Sequence, residues 1–119
     1  DFQDVNETLT SEIESSGIVI SYTSHAHKML ERTAKQINPE YNTYTDALIH
    51  LFCTAEMAHK MTLENPHILP LCPYSISVYK LAETPDRVYL SYNNSDNEVY
   101  AGVITLLMSI IGEIKGEYE

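Results

Sequence analysis

Tryptophan is absent from this 119-residue sequence, basic residues are scarce, and glycine and proline number only four and five. Each shortage removes a class of protein. Seven Lys and Arg against seventeen Asp and Glu leave a formal charge of −10. That balance repels phosphate backbones and lacks the basic footprint required to bind nucleic acid or an anionic membrane. The apolar stretches Ala47–Cys53 and Ala101–Ile111 fall far short of the roughly 20 residues needed to span a bilayer. Gly and Pro are too sparse and scattered to mark an interdomain linker, and no internal repeat or low-complexity tract appears. Gly-rich phosphate loops, nucleophile elbows and metalloprotease helices are missing too. What is present is 44% hydrophobic residues and nine tyrosines, enough for one core and a single domain over residues 1–119.

Phe2, Val5, Leu9 and Ile13 recur at helical spacing among acidic residues, predicting an amphipathic helix that Gly17 ends in a left-handed cap. Ile18–Tyr22 is β-branched and reads as a strand. Ser24 is positioned to cap a second helix over His25–Ile37, with Met29, Leu30, Thr33, Ala34 and Ile37 as its inward stripe. Thr45–Phe52 is apolar apart from His50 and suits a central strand buried on both faces, with His50 a core histidine bonded to a backbone carbonyl. Thr54 caps a third helix over Ala55–Glu64, and Asn65-Pro66 stops it. Pro70 and Pro73 hold the return extended. Tyr74–Leu81 and Arg87–Tyr92 alternate around turn-forming Ala82–Asp86 and predict a hairpin. Asp96 or Ser95 caps a long terminal helix with a wide apolar face of Val99, Val103, Leu106, Leu107, Ile110, Ile111 and Ile114.

Cys53 ends the buried strand, and Cys72 precedes the hairpin with eighteen residues between them. A ten-residue helix advances roughly 15 Å and the extended return reaches back roughly 20 Å, so two antiparallel neighbouring strands bring the pair together. A structural disulfide there would contribute about 3 kcal/mol in the chain-entropy view. A redox-active pair is the alternative, although no Cys-x-x-Cys spacing or adjacent basic residue favours it. The third reading is a soft-metal or haem site. Met57 and Met61 lie four apart on one helical face, His59 lies on another, and His67 stands five residues before Cys72. No spacing matches a zinc ribbon or finger. Ser24-His25-Ala26-His27 reads as a helix entry, because imidazoles two apart diverge on a helix. On the hairpin, Tyr79 and Tyr89 occupy corresponding positions and are predicted to stack, as packing, as the wall of a ligand pocket or as a dimer contact.

Cys53, Ala58, Asn65-Pro66, Pro70, Cys72, Ile76-Ser-Val-Tyr79 and Val88-Tyr-Leu-Ser-Tyr92 together resemble domain of unknown function family 302. The resemblance implies an α+β domain with an antiparallel sheet, often dimeric, and names no activity. Two departures stand out: Thr54-Ala55 follow the first Cys where the family commonly has Asn-Pro, and no strand precedes the first helix.

The expected fold is therefore α+β: an antiparallel sheet of about four strands packed against a long C-terminal helix, with two or three shorter helices. The expected function is a small binding or accessory domain, more in keeping with a non-enzyme, holding a metal, haem or small ligand near Cys53 and Cys72. A thiol-disulfide protein using those cysteines is one alternative. The other is an acidic module that meets a basic protein partner, and a homodimer is expected in any of them. No export signal precedes Asp1, yet one disulfide suits an oxidising compartment, so a periplasmic or otherwise exported protein is expected, with a cytoplasmic one as the alternative.

Overall fold

In the computed structural model, residues 1–71, 74–96 and 98–118 are described, the side chains of 35, 71 and 99 excepted. The elements run α1 (Phe2–Ser15), β1 (Val19–Ser24), α2 (Ala26–Ile37), β2 (Tyr44–Cys53), α3 (Ala55–Glu64), β3 (Tyr74–Leu81), β4 (Tyr89–Tyr92) and α4 (Ala101–Tyr118). Short 3-10 segments cover Pro66–Leu71 and Glu98–Tyr100. The four strands form one antiparallel sheet in the order β1-β2-β3-β4. This is the expected α+β arrangement, with the long helix at the C-terminus.

Local chemistry explains most of the boundaries. The Asp1 carboxylate accepts from the N–H of Gln3 at 2.7 Å and caps α1. Gly17, at φ +79°, turns the chain out of that helix as its position predicted. Thr54 Oγ1 accepts from Met57 N at 3.1 Å and starts α3, and Asn65, extended before Pro66, ends it. Where β3 meets β4, Thr84 N donates to Leu81 O and Arg87 N to Thr84 O, closing the turn.

The core lies on one face of the sheet. Val5, Leu9 and Ile13 of α1 and Val103, Leu107, Ile110 and Ile114 of α4 close over Phe52, Tyr74, Ile76 and Val78. Strand alternation sends Tyr74, Ile76 and Val78 inward, while Ser75, Ser77 and Tyr79 between them stay half-buried on the opposite face. Phe52 meets Tyr74 edge-to-face at 6.3 Å, and Tyr74 meets Tyr100 at 5.8 Å.

Several expectations are corrected. Ser24 does not cap α2: it is the last residue of β1, and His25 occupies the cap position without a side-chain bond. The α2 stripe does not point inward, for Met29, Leu30 and Ile37 are exposed and, among the described side chains of the helix, only Ala26 is buried. β2 is central but not buried on both faces, since Ile49 and Leu51 are half-buried and Ala47, His50 and Phe52 are the buried positions. β4 is shorter than predicted, starting at Tyr89. The return after α3 coils into a 3-10 segment through Pro70 rather than extending, and Pro73 lies outside the described residues. α4 begins at Ala101 behind a 3-10 turn, so neither Ser95 nor Asp96 caps it.

Candidate functional site

The face of the sheet away from α1 and α4 carries the most distinctive surface. Tyr79 pairs with Tyr89 across β3 and β4, and their rings stack at 5.4 Å with an interplanar angle of 15°. The sequence predicted this pair. Tyr44 extends the row, meeting Tyr79 edge-on at 5.8 Å and 89°. Tyr44 reaches this face because the β2–β3 register shifts between Tyr44 and Asp46, opposing Tyr44 to Leu81. The Tyr89 hydroxyl is tied to Thr84 Oγ1 at 3.0 Å, which fixes that end of the row. Beyond it, cross-strand partners Ser77 and Ser91, with Ser75 opposite Leu51 and Ser77 opposite Ile49, form a low floor of hydroxyls and half-buried aliphatic side chains. A second register shift, between Ile20 and Tyr22, turns Tyr22 to pair with Leu51 on this outer face, where its side chain is well exposed.

Where α2 approaches the start of β2, His27, Glu31, Tyr41, Asn42, Tyr44 and Thr45 line a cleft of about 300 Å³. His27 and Glu31 sit one helical turn apart, with Nε2 3.2 Å from Glu31 Oε2. His27 Nδ1 and the Tyr41 hydroxyl are both shielded from solvent without a hydrogen-bond partner among the described residues. Desolvation, and then the neighbouring charges of Tyr44 and Glu31, hold the Tyr41 phenol above its ordinary range. This cleft adjoins the tyrosine row through Tyr44. Sequence reading missed it, although the i, i+4 His27–Glu31 pair and the Tyr41-x-x-Tyr44 spacing after Asn38-Pro39 were visible signals.

The residues singled out for metal or thiol chemistry are placed differently. Cys53 is half-buried at the end of β2, its Sγ 3.7 Å from Thr54 O. β2 and β3 are antiparallel neighbours with Phe52 opposite Tyr74, but Cys72 lies outside the described residues and the pair is not placed. Met57 and Met61 pack toward α4, lining a groove of about 170 Å³ with Gly102 and Val103. A Cβ at Gly102 would lie 3.4 Å from Met57 Cε, in ordinary van der Waals contact, so this methionine packs against α4. His59 and His67 are exposed. Among the described residues no three His, Cys, Asp or Glu side chains converge on a metal position.

His50 is buried, at 2% exposure, and its partners are side chains rather than the backbone carbonyl expected. Nε2 lies 2.7 Å from Asn6 Oδ1 and Nδ1 2.9 Å from Thr23 Oγ1. The arrangement is satisfied when Nε2–H donates to Asn6 and the Thr23 hydroxyl donates to Nδ1, which selects one neutral tautomer. Burial first, and then the charge of His25, hold its pKa below the ordinary imidazole range. With both nitrogens engaged inside the core face, His50 is a structural link between α1, β1 and β2.

A four-stranded antiparallel sheet with α1 and α4 on one face, and with a tyrosine row and α2 beside β2 on the other, defines an α+β domain. The chain belongs to the family described as domain of unknown function DUF302, whose model matches residues 1–109. Its fold is similar to the crystal structure of an uncharacterized conserved DUF302 protein from Bacillus stearothermophilus, with a TM-score of 0.64 at 15% identity, covering 98% of this chain and 84% of that one. A comparison with curated proteins returned no match.

Proposed function

We propose that this domain is a binding module that takes a small amphipathic organic molecule on the outer face of its sheet. The observation that carries this reading is the row Tyr44–Tyr79–Tyr89, whose rings are held against one another and left half-exposed. Stacked and edge-on tyrosines offer apolar area at low entropic cost together with hydroxyl groups, and the adjoining serines supply further hydrogen bonds. The ligand is assigned to this row rather than to Cys53 and Cys72, because Met57 and Met61 are committed to packing and His59 and His67 stand apart in solvent. Thermal-shift screening of a defined panel of aromatic and heterocyclic compounds tests the reading. Compounds that stabilise the wild type should lose their effect in Tyr79→Ser/Tyr89→Ser, and hits that survive this double substitution would place binding elsewhere.

We also propose a homodimer through β1 and α2. Edge strand β1 has no charged residue or proline, the usual guards of an edge, and Val19 is 78% and Ile37 86% exposed. α2 beside it leaves Met29, Leu30 and Ile37 exposed, apolar area that the same patch of a second copy would cover. Sedimentation equilibrium of wild type and Val19→Lys tests it: a dimer that dissociates on substitution is expected, and a wild-type monomer would refute it.

A further inference from the structure

We infer that His50 is a proton-sensitive latch for residues 23–37, so that mild acid frees the end of β1 and α2 from a sheet that otherwise stays folded. The hydrogen bonds of His50 join elements of unequal anchorage. On one side Nε2 lies 2.7 Å from Asn6 Oδ1 of α1, and α1 is held besides by the buried Val5, Leu9 and Ile13. On the other, Nδ1 lies 2.9 Å from Thr23 Oγ1 of β1. Among the described side chains of residues 23–37, only Ala26 is buried. Local opening begins where buried contacts are fewest, so the tie that yields is the one to Thr23.

The link is sensitive to protons because no counter-charge attends it. His50 is 2% exposed, and a second proton on its ring places a positive charge where burial disfavours one. α1 turns Asn6 toward the ring and leaves Asp4 and Glu7 in solvent. β1 brings Thr23 and, beyond it, the exposed His25, whose charge has the same sign. β3 sets Ile76 opposite His50, while Asp46 of β2 pairs in register with Lys80. The charged residues of α4, Glu113, Lys115 and Glu117, are exposed. The His27–Glu31 pair is internal to α2 and ties that helix to nothing else. Once Nδ1 carries a proton, the Thr23 hydroxyl can no longer donate to it, and water reaches the charged ring only when residues 23–37 leave. α2 shares the cleft of His27, Glu31, Tyr41 and Tyr44 with the start of β2, so its release also uncovers the Tyr44 end of the tyrosine row.

Amide hydrogen exchange of the full chain at pH 7.5 and 5.5, corrected for the intrinsic pH dependence of exchange, tests the latch. In wild type the protection of residues 24–36 should fall by up to about tenfold, the factor by which a freed imidazole of pKa about 6.5 favours the open state at pH 5.5. β3 and the buried face of α1 should keep their protection. His50→Gln cannot take up the proton yet retains His25 and His27, so its residues 24–36 should be equally protected at both pH values. Thr23→Val loses only the hydroxyl, and should lower the protection of the same segment at pH 7.5 without touching β3. Unchanged protection in wild type, or a loss shared equally by β3, would overturn the inference. So would an acid-dependent loss that persists in His50→Gln. If His50→Gln does not fold, Thr23→Val decides alone: undiminished protection of residues 24–36 at pH 7.5 would show that this bond holds nothing in place.

Discussion

Asn6 on α1 and His50 on β2 meet through a 2.7 Å contact between Oδ1 and Nε2. Forty-four residues apart in sequence, they fasten the first helix to the central strand, and Thr23 completes the link from the edge strand. Asn6→Ala should leave the imidazole N–H without its partner and destabilise the fold by about 1–3 kcal/mol, the cost of an unsatisfied buried donor. Urea unfolding of Asn6→Ala, His50→Ala and the double variant should return a coupling energy between the two sites. Strict additivity would show that the contact contributes nothing.

The same histidine sets a pH dependence. Its folded-state pKa lies below the ordinary value of 6.5, so at mildly acid pH the unfolded chain binds a proton that the folded chain does not. Stability attributable to His50 is therefore intact above about pH 7 and declines as pH falls through the unfolded pKa of about 6.5. The decline levels off once the pH passes below the folded pKa. Subtracting the stability–pH curve of His50→Gln from that of wild type should isolate this slope, because the remaining carboxylates and histidines are common to both. Parallel curves across pH 7 to 5 would contradict it.

Gly17 leaves α1 at φ +79° with open space where a side chain would go. Gly17→Ala should thus cost about 1–2 kcal/mol from backbone conformation alone, seen as a lower urea midpoint with an unchanged slope. A neutral effect would mean that the turn relaxes to negative φ.

Separating stability from binding is the purpose of a third class of variant. Tyr89→Ala removes the stacked ring opposite Tyr79 and the hydroxyl contact with Thr84. The aromatic pair accounts for about 0.5–1.5 kcal/mol beyond its buried area, so circular dichroism should show a modestly less stable but fully folded protein. Global unfolding at room temperature would mark the tyrosine row as structural core instead of surface.

Periodicity carried the fold a long way. The spacing of Val5, Leu9 and Ile13, the Thr54 cap, Asn65-Pro66 and the Tyr79–Tyr89 correspondence all depend on local rules that the chain obeys. The errors arose where tertiary pairing overrode those rules. A register shift between Ile20 and Tyr22 sends Tyr22 out and Thr23 in, which strict alternation cannot foresee. Ser24 pairs with Ile49 as the last residue of β1 and so cannot serve as the cap of α2. The helical stripe of α2 was visible, but periodicity cannot say whether a stripe meets the core of its own chain or lies open, as Met29 and Ile37 do. For the candidate site, Tyr79 and Tyr89 were readable as a pair. Tyr44 and the cleft around Tyr41 needed the β2 register and the approach of α2, which are properties of the folded chain.

The most direct test of the account is aromatic-resolved NMR of protein labelled in its tyrosine rings, recorded as an aromatic compound that raises the thermal midpoint of the wild type is added. The ring signals of Tyr44, Tyr79 and Tyr89 should shift together along one saturating curve, while Tyr74 and Tyr100, inside the core, remain in place. Signals that do not move, or shifts confined to Tyr74 and Tyr100, would contradict a ligand surface on the outer face of the sheet.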